Sequence, residues 1–279
     1  MKNLLFVANK PMFISSNKFL SQLKKKYKEK KMGFSGTLDP FACGVLVIAS
    51  GQYTKLFRFL KKSPKVYLST LFLGASSPTL DIENITSIKE IKPFDKKEIE
   101  KVLKSFIGKQ TQIPPKYSAK KIDGKRAYEL ARENKEVKLK EIEVEIYDIK
   151  LINYSHPFVT FETIVSEGTF IRTLGYDIAK KLNTTGTLTY LKRVKEGEFE
   201  YECEKKLNPI NFLNIPQNYF LGDNKKLRLG QKLDINEFKI KEDGEYFVVY
   251  DDFFCIIKIK DKKVSYILNK ISLKEEYEN

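Results

Sequence analysis

The sequence reads GFSGTLDPFACG at residues 33–44, and the apolar run VLVI follows at residues 45–48. Three glycines and a proline within twelve residues predict a shaped loop that leads into a buried strand. The stretch lacks the GKS or GKT ending of a nucleotide-binding P-loop, and its short GxxG match to the clamp of KH domains carries little weight. Asp39 stands before Pro40, and such pairs commonly initiate turns. The loop by itself therefore leaves open a structural or a chemical role for Asp39.

Positive charge is concentrated around this loop. The chain carries 51 Lys and Arg against 36 Asp and Glu, a formal charge of +15, and residues 1–60 contain ten Lys and one Arg but only two acidic residues, Glu29 and Asp39. Such a surface suits a polyanion, because each neutralised phosphate releases condensed counterions. The whole chain is rich in Lys, with 45 Lys and six Arg, so a solvated Lys-rich face is the alternative.

Composition excludes several classes of protein. A length of 279 residues with 42% hydrophobic and 31% charged residues is typical of a globular protein of one large or two smaller domains. The early apolar run at residues 4–8 is far shorter than the ~20 residues of a membrane span and lacks a cleavage-site pattern, so we expect a cytoplasmic protein. Three cysteines without a CxxC pair and the single His156 argue against a disulfide framework and a zinc site, and no metal is expected.

Hydrophobic periodicity predicts strands and helices in mixed order. Extended segments are expected at Leu4–Ala8, Val45–Ala49, Val66–Leu73, Ile142–Ile152, Phe158–Val165 and Glu245–Ile259. Helices are expected at residues 16–28 with Ser16 as N-cap, at 95–106 with Asp95 and Glu98 in a capping box, and at 170–182 with an apolar stripe. Strict βαβ alternation is missing, so the pattern indicates an α+β fold with a mixed, largely antiparallel central sheet flanked by helices.

A change in composition predicts a domain boundary. Around residues 209–224 the pattern breaks into Asn, Pro and Gly, and the rest of the chain reads as short strands. We place the boundary at residue 221, with a small all-β domain after it.

Three further segments combine residue types suited to nucleic acid. Tyr67 opens a predicted strand and would stack on a base or fill the core. Residues 113–128 interleave basic and aromatic residues around an Asp-Gly turn, which suits phosphate and base contacts but also an exposed hairpin. Arg172 lies in the first turn of the third predicted helix, off its apolar stripe. A cation there opposes the helix dipole, so we expect its side chain to point away from the core toward a specific anionic partner.

Taken together and in order, these segments resemble the TruB family of tRNA pseudouridine synthases. The family motif GHTGxLDPxAxG is similar to residues 33–44 at nearly every fixed position. Its other motifs are similar to Lys10-Pro11, Lys65-x-Tyr67, Pro114–Arg132, the GTFIRTL segment at 168–174 and Leu191-x-Arg193. The resemblance covers roughly residues 5–200 and extends more weakly to the family's small C-terminal PUA domain.

The resemblance implies both a fold and an activity. The fold would be the pseudouridine synthase fold, with a catalytic domain at 1–221, an RNA-clamping insertion at 113–135 and a PUA-like RNA-binding domain at 222–279. The protein would be an isomerase that converts uridine 55 in the T loop of tRNA to pseudouridine by base flipping. It would act as a monomer on the T stem-loop, away from membranes, and without a cofactor or metal.

The resemblance also implies roles for individual residues. Asp39 would be the essential catalytic carboxylate, kept ionised and aligned by Arg172. The substrate-binding residues would be Tyr67, Arg172, Leu191, Lys10, Gly36 and Phe34. Contacts to the RNA backbone would come from Lys116, Lys120, Lys121, Lys125 and Arg126.

Two departures from the family pattern and two alternative functions accompany this interpretation. The family His is Phe34 here and its Thr is Ser35, while the N-terminal DKPxG becomes NKPMF at residues 9–13. A non-catalytic RNA-binding protein or tRNA folding chaperone would explain the charge but not Asp39 in a basic region. A nucleic-acid glycosidase would need a second carboxylate across the bond, for which Asp81 and Glu83 are available.

Overall fold

The computed structural model describes residues 2–118, 121–122, 125–126 and 139–274. The strands are β1 Leu5–Lys10, β2 Met32–Phe34, β3 Cys43–Ser50, β4 Lys65–Leu73, β5 Ala75–Ser76, β6 Ser87–Ile88, β7 Gly108–Gln112, β8 Lys121–Ile122, β9 Lys125–Arg126, β10 Ile142–Ser155, β11 Phe158–Val165, β12 Gly186–Glu196, β13 Gly244–Tyr250, β14 Phe253–Lys260 and β15 Lys263–Ser272. The α-helices of the described residues are α1 Ser16–Lys26, α2 Lys96–Lys104, α3 Ile171–Lys181 and α4 Asn224–Leu229.

An eight-stranded sheet forms the centre of the molecule. Its strand order is β1-β3-β12-β4-β11-β10-β7, and β2 pairs with β3 beside this path. The pairing of β12 with β3 is parallel, while the other pairs in this sheet are antiparallel. The predicted α+β fold with a mixed, largely antiparallel central sheet is confirmed.

Strand β12 has no counterpart among the predicted extended segments, although it lies in the middle of the sheet. Two register shifts interrupt its pairing with β4, between Leu188 and Tyr190 and between Arg193 and Lys195. Because each shift changes which face a side chain occupies, the sequence shows no simple two-residue alternation. The strand places Arg193 opposite Tyr67 of β4 and also opposite Gly44 of β3.

The helices lie close to their predicted positions. In α3, all four residues of the predicted apolar stripe are buried: Ile171, Leu174, Ile178 and Leu182. Asp95 caps α2 by accepting from the Lys97 amide, as predicted. The N-cap of α1 is Ser15, which accepts from the Lys18 amide, and not Ser16. The hydroxyl of Ser16 instead binds the backbone of Leu38, so it serves the loop that contains Asp39.

The C-terminal residues form a separate three-stranded sheet of β13, β14 and β15. The predicted extended segment Glu245–Ile259 is two strands, because the chain turns at Asp251, where φ is +48°. This sheet has its own apolar cluster around Phe238 and Ile257, and it shares a second cluster with β1 and β3. Gln217 already pairs with Phe247, ahead of the predicted domain boundary at residue 221. In the described part of the chain, no helix has the length and apolarity to cross a membrane.

Candidate active site

The loop between β2 and β3 carries Asp39, and glycines give it its shape. Gly36 has φ +59° and Gly44 has φ +104°, both in the region that disfavours side chains. A Cβ on Gly44 would lie 2.2 Å from the Arg193 carbonyl oxygen, so this position requires glycine for close packing as well. The Ser16 hydroxyl accepts from the Leu38 amide at 3.0 Å and donates to the Leu38 carbonyl at 2.9 Å. Helix α1 therefore fixes the residue next to Asp39.

Lys10 also supports the loop that carries Asp39. Its side chain is fully buried, and its ammonium donates to the carbonyls of Pro11 at 2.9 Å, Ile14 at 2.6 Å and Pro40 at 3.3 Å. Burial lowers the pKa of Lys10 to about 8, although Cys43 and Asp39 oppose that change. Lys10 was predicted to bind substrate. Since its donors are taken by backbone carbonyls, the structure makes it a residue that positions the loop.

A buried charge network lies beneath Gly36. Arg193 donates from Nε to the Val45 carbonyl at 2.8 Å and from Nη2 to the Gly36 carbonyl at 2.9 Å. Its Nη2 also lies 3.2 Å from Oε2 of Glu196, which is fully buried. Residues three apart on a regular strand face opposite sides, and the register shift after Arg193 brings Glu196 to the same side.

Two further side chains complete this network. The Ser35 hydroxyl donates to Glu196 Oε1 at 3.1 Å, and Lys65 Nζ lies 3.5 Å from the same oxygen. Ser35 stands where the family pattern has Thr, and it retains the hydroxyl that this contact requires. Lys65 opens β4 two residues before Tyr67, so the network joins the Asp39 loop to two strands of the sheet.

Asp39 itself forms a two-point ion pair with Arg172. Arg172 Nε lies 2.9 Å from Asp39 Oδ2, and Nη2 donates to Oδ1 at 3.0 Å. This fork-to-fork geometry fixes both the position and the plane of the carboxylate. The Asp39 side chain is 32% exposed while that of Arg172 is 4% exposed, so the carboxylate is the part open to a substrate. The predicted anionic partner of Arg172 is thus Asp39, but the expectation that Arg172 points away from the core is wrong.

Three other groups hold Arg172 in place. Nη1 donates to the Thr79 carbonyl at 2.7 Å and to Asp81 Oδ2 at 3.2 Å, and Nη2 donates to the Tyr117 carbonyl at 2.8 Å. The buried Asp81 accepts in turn from the Thr79 hydroxyl at 2.7 Å. One guanidinium therefore lies between two carboxylates, and its own position does not depend on Asp39.

Burial raises the pKa of Asp39 above its ordinary value. The Arg172 guanidinium opposes this rise, Asp81 adds to it, and Lys10 opposes it more weakly. The predicted role of Arg172 in keeping Asp39 ionised is thus a partial compensation for burial. Glu83 shows the same direction, because burial and the nearby Asp81 and Asp39 raise its pKa.

Two cavities meet at the Asp39–Arg172 pair. One has a volume of about 560 Å³ and is lined by Tyr67, Leu191, Gly36 and Phe170 in addition to the pair. The other, of about 640 Å³, is lined by polar residues of the α1 start and of the 79–84 segment. Both volumes lie in the usual range for small-ligand sites. The first cavity brings together Asp39, Arg172, Tyr67, Leu191 and Gly36, predicted site residues that come from four separate segments of the sequence.

The other predicted site residues lie elsewhere or outside the described residues. Phe34 is half-buried and packs on the apolar cluster under α1, together with Ile14. Lys116 is exposed just before the cavity residues Tyr117 and Ser118. Lys120 and residues 127–135 of the proposed insertion lie outside the described residues. For Lys121, Lys125 and Arg126 the structure describes only the backbone, in the paired strands β8 and β9.

Sequence reasoning missed the residues that hold the pair in place. Asp81 was considered only as a second acid, Ser16 only as a helix cap, and Glu196 not at all. The sequence gives only a weak signal for these residues, because a carboxylate can be recognised as buried and paired only once the folded positions of its partners are known. In the described part of the chain, no cluster of His, Cys, Asp and Glu side chains is arranged to hold a metal ion.

Comparison with known proteins identifies the family. The model of the TruB family pseudouridylate synthase N-terminal domain matches residues 24–171, which is more than half of the chain. The chain belongs to the TruB family. The matched range contains Asp39, Tyr67 and Asp81 and ends at Ile171, immediately before Arg172. The geometry described above is therefore that of a TruB pseudouridylate synthase.

Curated relatives cover nearly the whole chain. A protein named tRNA pseudouridine synthase B from a Sulfurovum species is 55% identical over 269 residues, covering 96% of this chain and 97% of the relative. A protein of the same name from a Nitratiruptor species is 54% identical, covering 98% of this chain and 99% of the relative. A third, from Campylobacter concisus, is 51% identical, covering 96% of this chain and 98% of the relative.

Solved structures share the fold at low identity. A Cbf5-Nop10-Gar1 complex contains a chain that matches with a TM-score of 0.69 and 18% identity, over 96% of this chain and 84% of that chain. A chain of an H/ACA RNP bound to a substrate RNA containing 2′-deoxyuridine matches with a TM-score of 0.65 and 17% identity, over 98% and 86%. At these identities the likeness shows that this chain shares the fold of those chains and nothing finer.

Proposed function

We propose that this TruB-family chain isomerises uridine 55 in the T loop of tRNA to pseudouridine, with Asp39 as the essential carboxylate. The observation that carries the proposal is the two-point Asp39–Arg172 pair at the wall of a cavity that also contains Tyr67 and Leu191. The names of the curated relatives support tRNA as the substrate.

The chemistry matches the groups in the cavity. Pseudouridine forms when the C1′–N1 bond of uridine breaks, the uracil turns, and C5 bonds to C1′, while C5 loses its proton and N1 gains one. The reaction neither gains nor loses atoms and transfers no electrons to a second molecule. One carboxylate able to attack or to accept a proton, together with a shaped pocket for the base, meets these needs. The two-point contact with Arg172 aligns that carboxylate, and alignment of reacting groups is a large source of rate.

The neighbouring side chains suit an extruded base. Tyr67 and Leu191 are 7% and 4% exposed and lie on adjacent strands, where they form an aromatic and aliphatic lining of the cavity. Stacking on such a lining offsets the few kcal/mol that removal of a base from its stack costs. We assign Tyr67 and Leu191 to the uracil and Gly36 to the close approach of the RNA beside Asp39.

The RNA backbone lies, in this proposal, along the basic segment that enters the site. Lys116 is exposed next to the cavity residue Tyr117, and Lys120, Lys121, Lys125 and Arg126 follow it in sequence. We assign these five residues to phosphates of the T stem-loop, and residues 222–279 to a PUA-like domain that contacts the rest of the tRNA. We also propose that the chain acts as a monomer.

The test is pseudouridine mapping on unmodified tRNA transcripts with the wild-type chain and with Asp39→Asn. We expect modification at position 55 with the wild type and none with Asp39→Asn, while the Kd for tRNA changes by less than about tenfold. Release of free uracil would indicate a glycosidase instead, and binding without modification would indicate a chaperone. The structure gives a glycosidase little support, because Asp81 is buried and paired with the same guanidinium as Asp39.

A further inference from the structure

Phe13 is an exposed aromatic residue with an unusual backbone. Its side chain is 68% exposed and its φ is +60°, in the left-handed region that bulky residues rarely adopt. The family pattern has Gly at this position, which would adopt the same backbone without strain. A Phe with a strained backbone and a mostly exposed ring gains little stabilisation from burial in the free protein.

The position of Phe13 is fixed relative to the catalytic loop. The carbonyl of the next residue, Ile14, accepts from Lys10 Nζ at 2.6 Å, and the same ammonium binds the Pro40 carbonyl, adjacent to Asp39. Two residues after Phe13, Ser15 caps α1 and lines the cavity that contains Asp39. The ring is thus carried on a short, well-anchored segment between the buried Lys10 and the cavity wall.

The surroundings of Phe13 suit an anionic, aromatic partner. Helix α1 begins three residues after Phe13 and presents the exposed Lys18 in its first turn. Further exposed lysines, Lys25 and Lys30, lie toward and beyond the other end of the helix, where Glu29 is buried against the N-terminal backbone. Exposed aromatic rings among cations are typical of single-stranded RNA interfaces, because every base has a face on which a ring can stack. Phe34 is half-buried on the apolar cluster, so its ring is less available for such a contact.

We infer that Phe13 stacks on an unpaired nucleobase of the substrate RNA, next to the extruded uridine, and so contributes to the affinity of the site for that RNA. This inference rests on the proposed function, because it places the RNA at the Asp39 cavity. A stacked base would cover a ring that is mostly exposed in the free protein. The strain at Phe13 is then balanced in the complex and not in the free protein.

The first test separates binding from stability with Phe13→Gly. We expect the Kd for an unmodified tRNA transcript to rise about tenfold, the typical loss of one stacked base, with the change in KM and not in kcat. The melting temperature should rise, because Gly relieves the left-handed strain. Phe13→Tyr should bind as the wild type does. Asn183→Gly, at φ +56° and outside both cavities, is the control for strain relief and should leave the Kd unchanged.

Unchanged affinity in Phe13→Gly would overturn the inference. So would a loss of affinity accompanied by a lower melting temperature, since that combination indicates a structural ring. Neither result would contradict the proposed function, which is tested independently by modification at position 55 with the wild-type chain.

The second test reports stacking directly. The chain contains no Trp, so Phe13→Trp introduces a single Trp at the proposed contact, which can be excited selectively at the red edge of Tyr absorption. We expect its emission to be quenched when tRNA binds. Phe158→Trp is the matched control, because Phe158 is also exposed and lies roughly 23 Å along β11 from the end near the cavity. Equal responses at the two positions, or none at residue 13, would refute the contact.

Discussion

Arg172 binds Asp39 through two parallel contacts, from Nε to Oδ2 at 2.9 Å and from Nη2 to Oδ1 at 3.0 Å. The remaining donors of the guanidinium bind Asp81 and the carbonyls of Thr79 and Tyr117. A lysine has one nitrogen at the end of a flexible chain and cannot satisfy these four partners at once. The shape of the side chain, and not only its charge, is therefore required.

We expect Arg172→Lys to lower the single-turnover rate by ~10²-fold, because the carboxylate loses its two-point alignment. We expect stability to fall as well, since the Arg172 side chain is buried and the shorter Lys leaves carbonyls and Asp81 without donors. Thermal melts should show a clear loss. Arg228→Lys is the matched control, because Arg228 makes one exposed contact, 2.7 Å from Asp251. A near-normal rate for Arg172→Lys would show that Arg172 contributes only its positive charge to the reaction.

Asp39→Asn should make the protein more stable at neutral pH while abolishing turnover. Burial raises the pKa of Asp39, so the folded state binds this proton more tightly than the unfolded state does. Ionisation of Asp39 above its folded pKa thus lowers the free energy of unfolding, and Asn removes that cost. Melting curves should show the variant above the wild type at pH 7, with the difference shrinking as the pH falls toward ~4, the ordinary range of an Asp carboxyl. A variant that melts lower at pH 7 would contradict this.

Deprotonation of Lys10 should lower the activity at alkaline pH. Its pKa is lowered to about 8 by burial, so the ammonium becomes an amine with two N–H groups for three carbonyls as the pH rises through that value. We expect the single-turnover rate to fall a few-fold above pH 8, and Lys10→Met to show a lower rate without this step.

Deprotonation of Lys10 should raise the stability of the fold, although it lowers the activity. The unfolded chain keeps the Lys10 proton up to its ordinary pKa of 10.5, while the folded chain releases it near 8. Between these values the unfolded state binds more protons, so the free energy of unfolding rises with pH. Comparing the pH dependence of the melting temperature in wild type and Lys10→Met isolates this contribution.

The network under Gly36 predicts a graded series of losses in the free energy of unfolding. Ser35→Thr should be tolerated, because the hydroxyl donor to Glu196 is retained. Ser35→Ala should lower the free energy of unfolding by about 1.5–3 kcal/mol, the range for a hydrogen bond to a charged group. Glu196→Gln should cost about 3–5 kcal/mol, since it leaves the buried Arg193 without its carboxylate partner and Lys65 with only the more distant Glu167. Denaturant titration measures all three. Equal stability of Ser35→Ala and Ser35→Thr would show that the hydroxyl contact contributes nothing.

Binding of tRNA should weaken steeply with salt if exposed lysines contact phosphates. A site that neutralises six or more phosphates loses ~10³-fold or more in affinity between 50 and 200 mM salt. Lys116→Ala should reduce the slope of log K against log salt by about 0.7–0.9, the value of one phosphate contact. A flat salt dependence of the wild-type Kd would remove the phosphate contacts from the proposal.

The elements with regular patterns could be read from the sequence. The stripe in α3 and the strands near 66–73 and 158–165 follow one period, so their positions were predicted within a few residues. Strand β12 could not be, because its register shifts break the alternation on which prediction depends. The site divides in the same way. Asp39 and Arg172 stand in recognisable motifs. Asp81 and Ser16 instead act through partners distant in sequence, and Glu196 reaches its neighbour Arg193 only because a register shift brings both side chains to one face.

The place of β12 in the sheet has a consequence for synthesis. It is the last strand of the central sheet to leave the ribosome, yet it lies between β3 and β4. Before Gly186 has emerged, the nascent chain holds two half-sheets with open edges, and open edges readily pair with other chains. Asp39 belongs to the first half, and Tyr67 belongs to the second. The enzyme therefore acquires its active site only when β12 inserts between them, and chains truncated before residue 186 should aggregate.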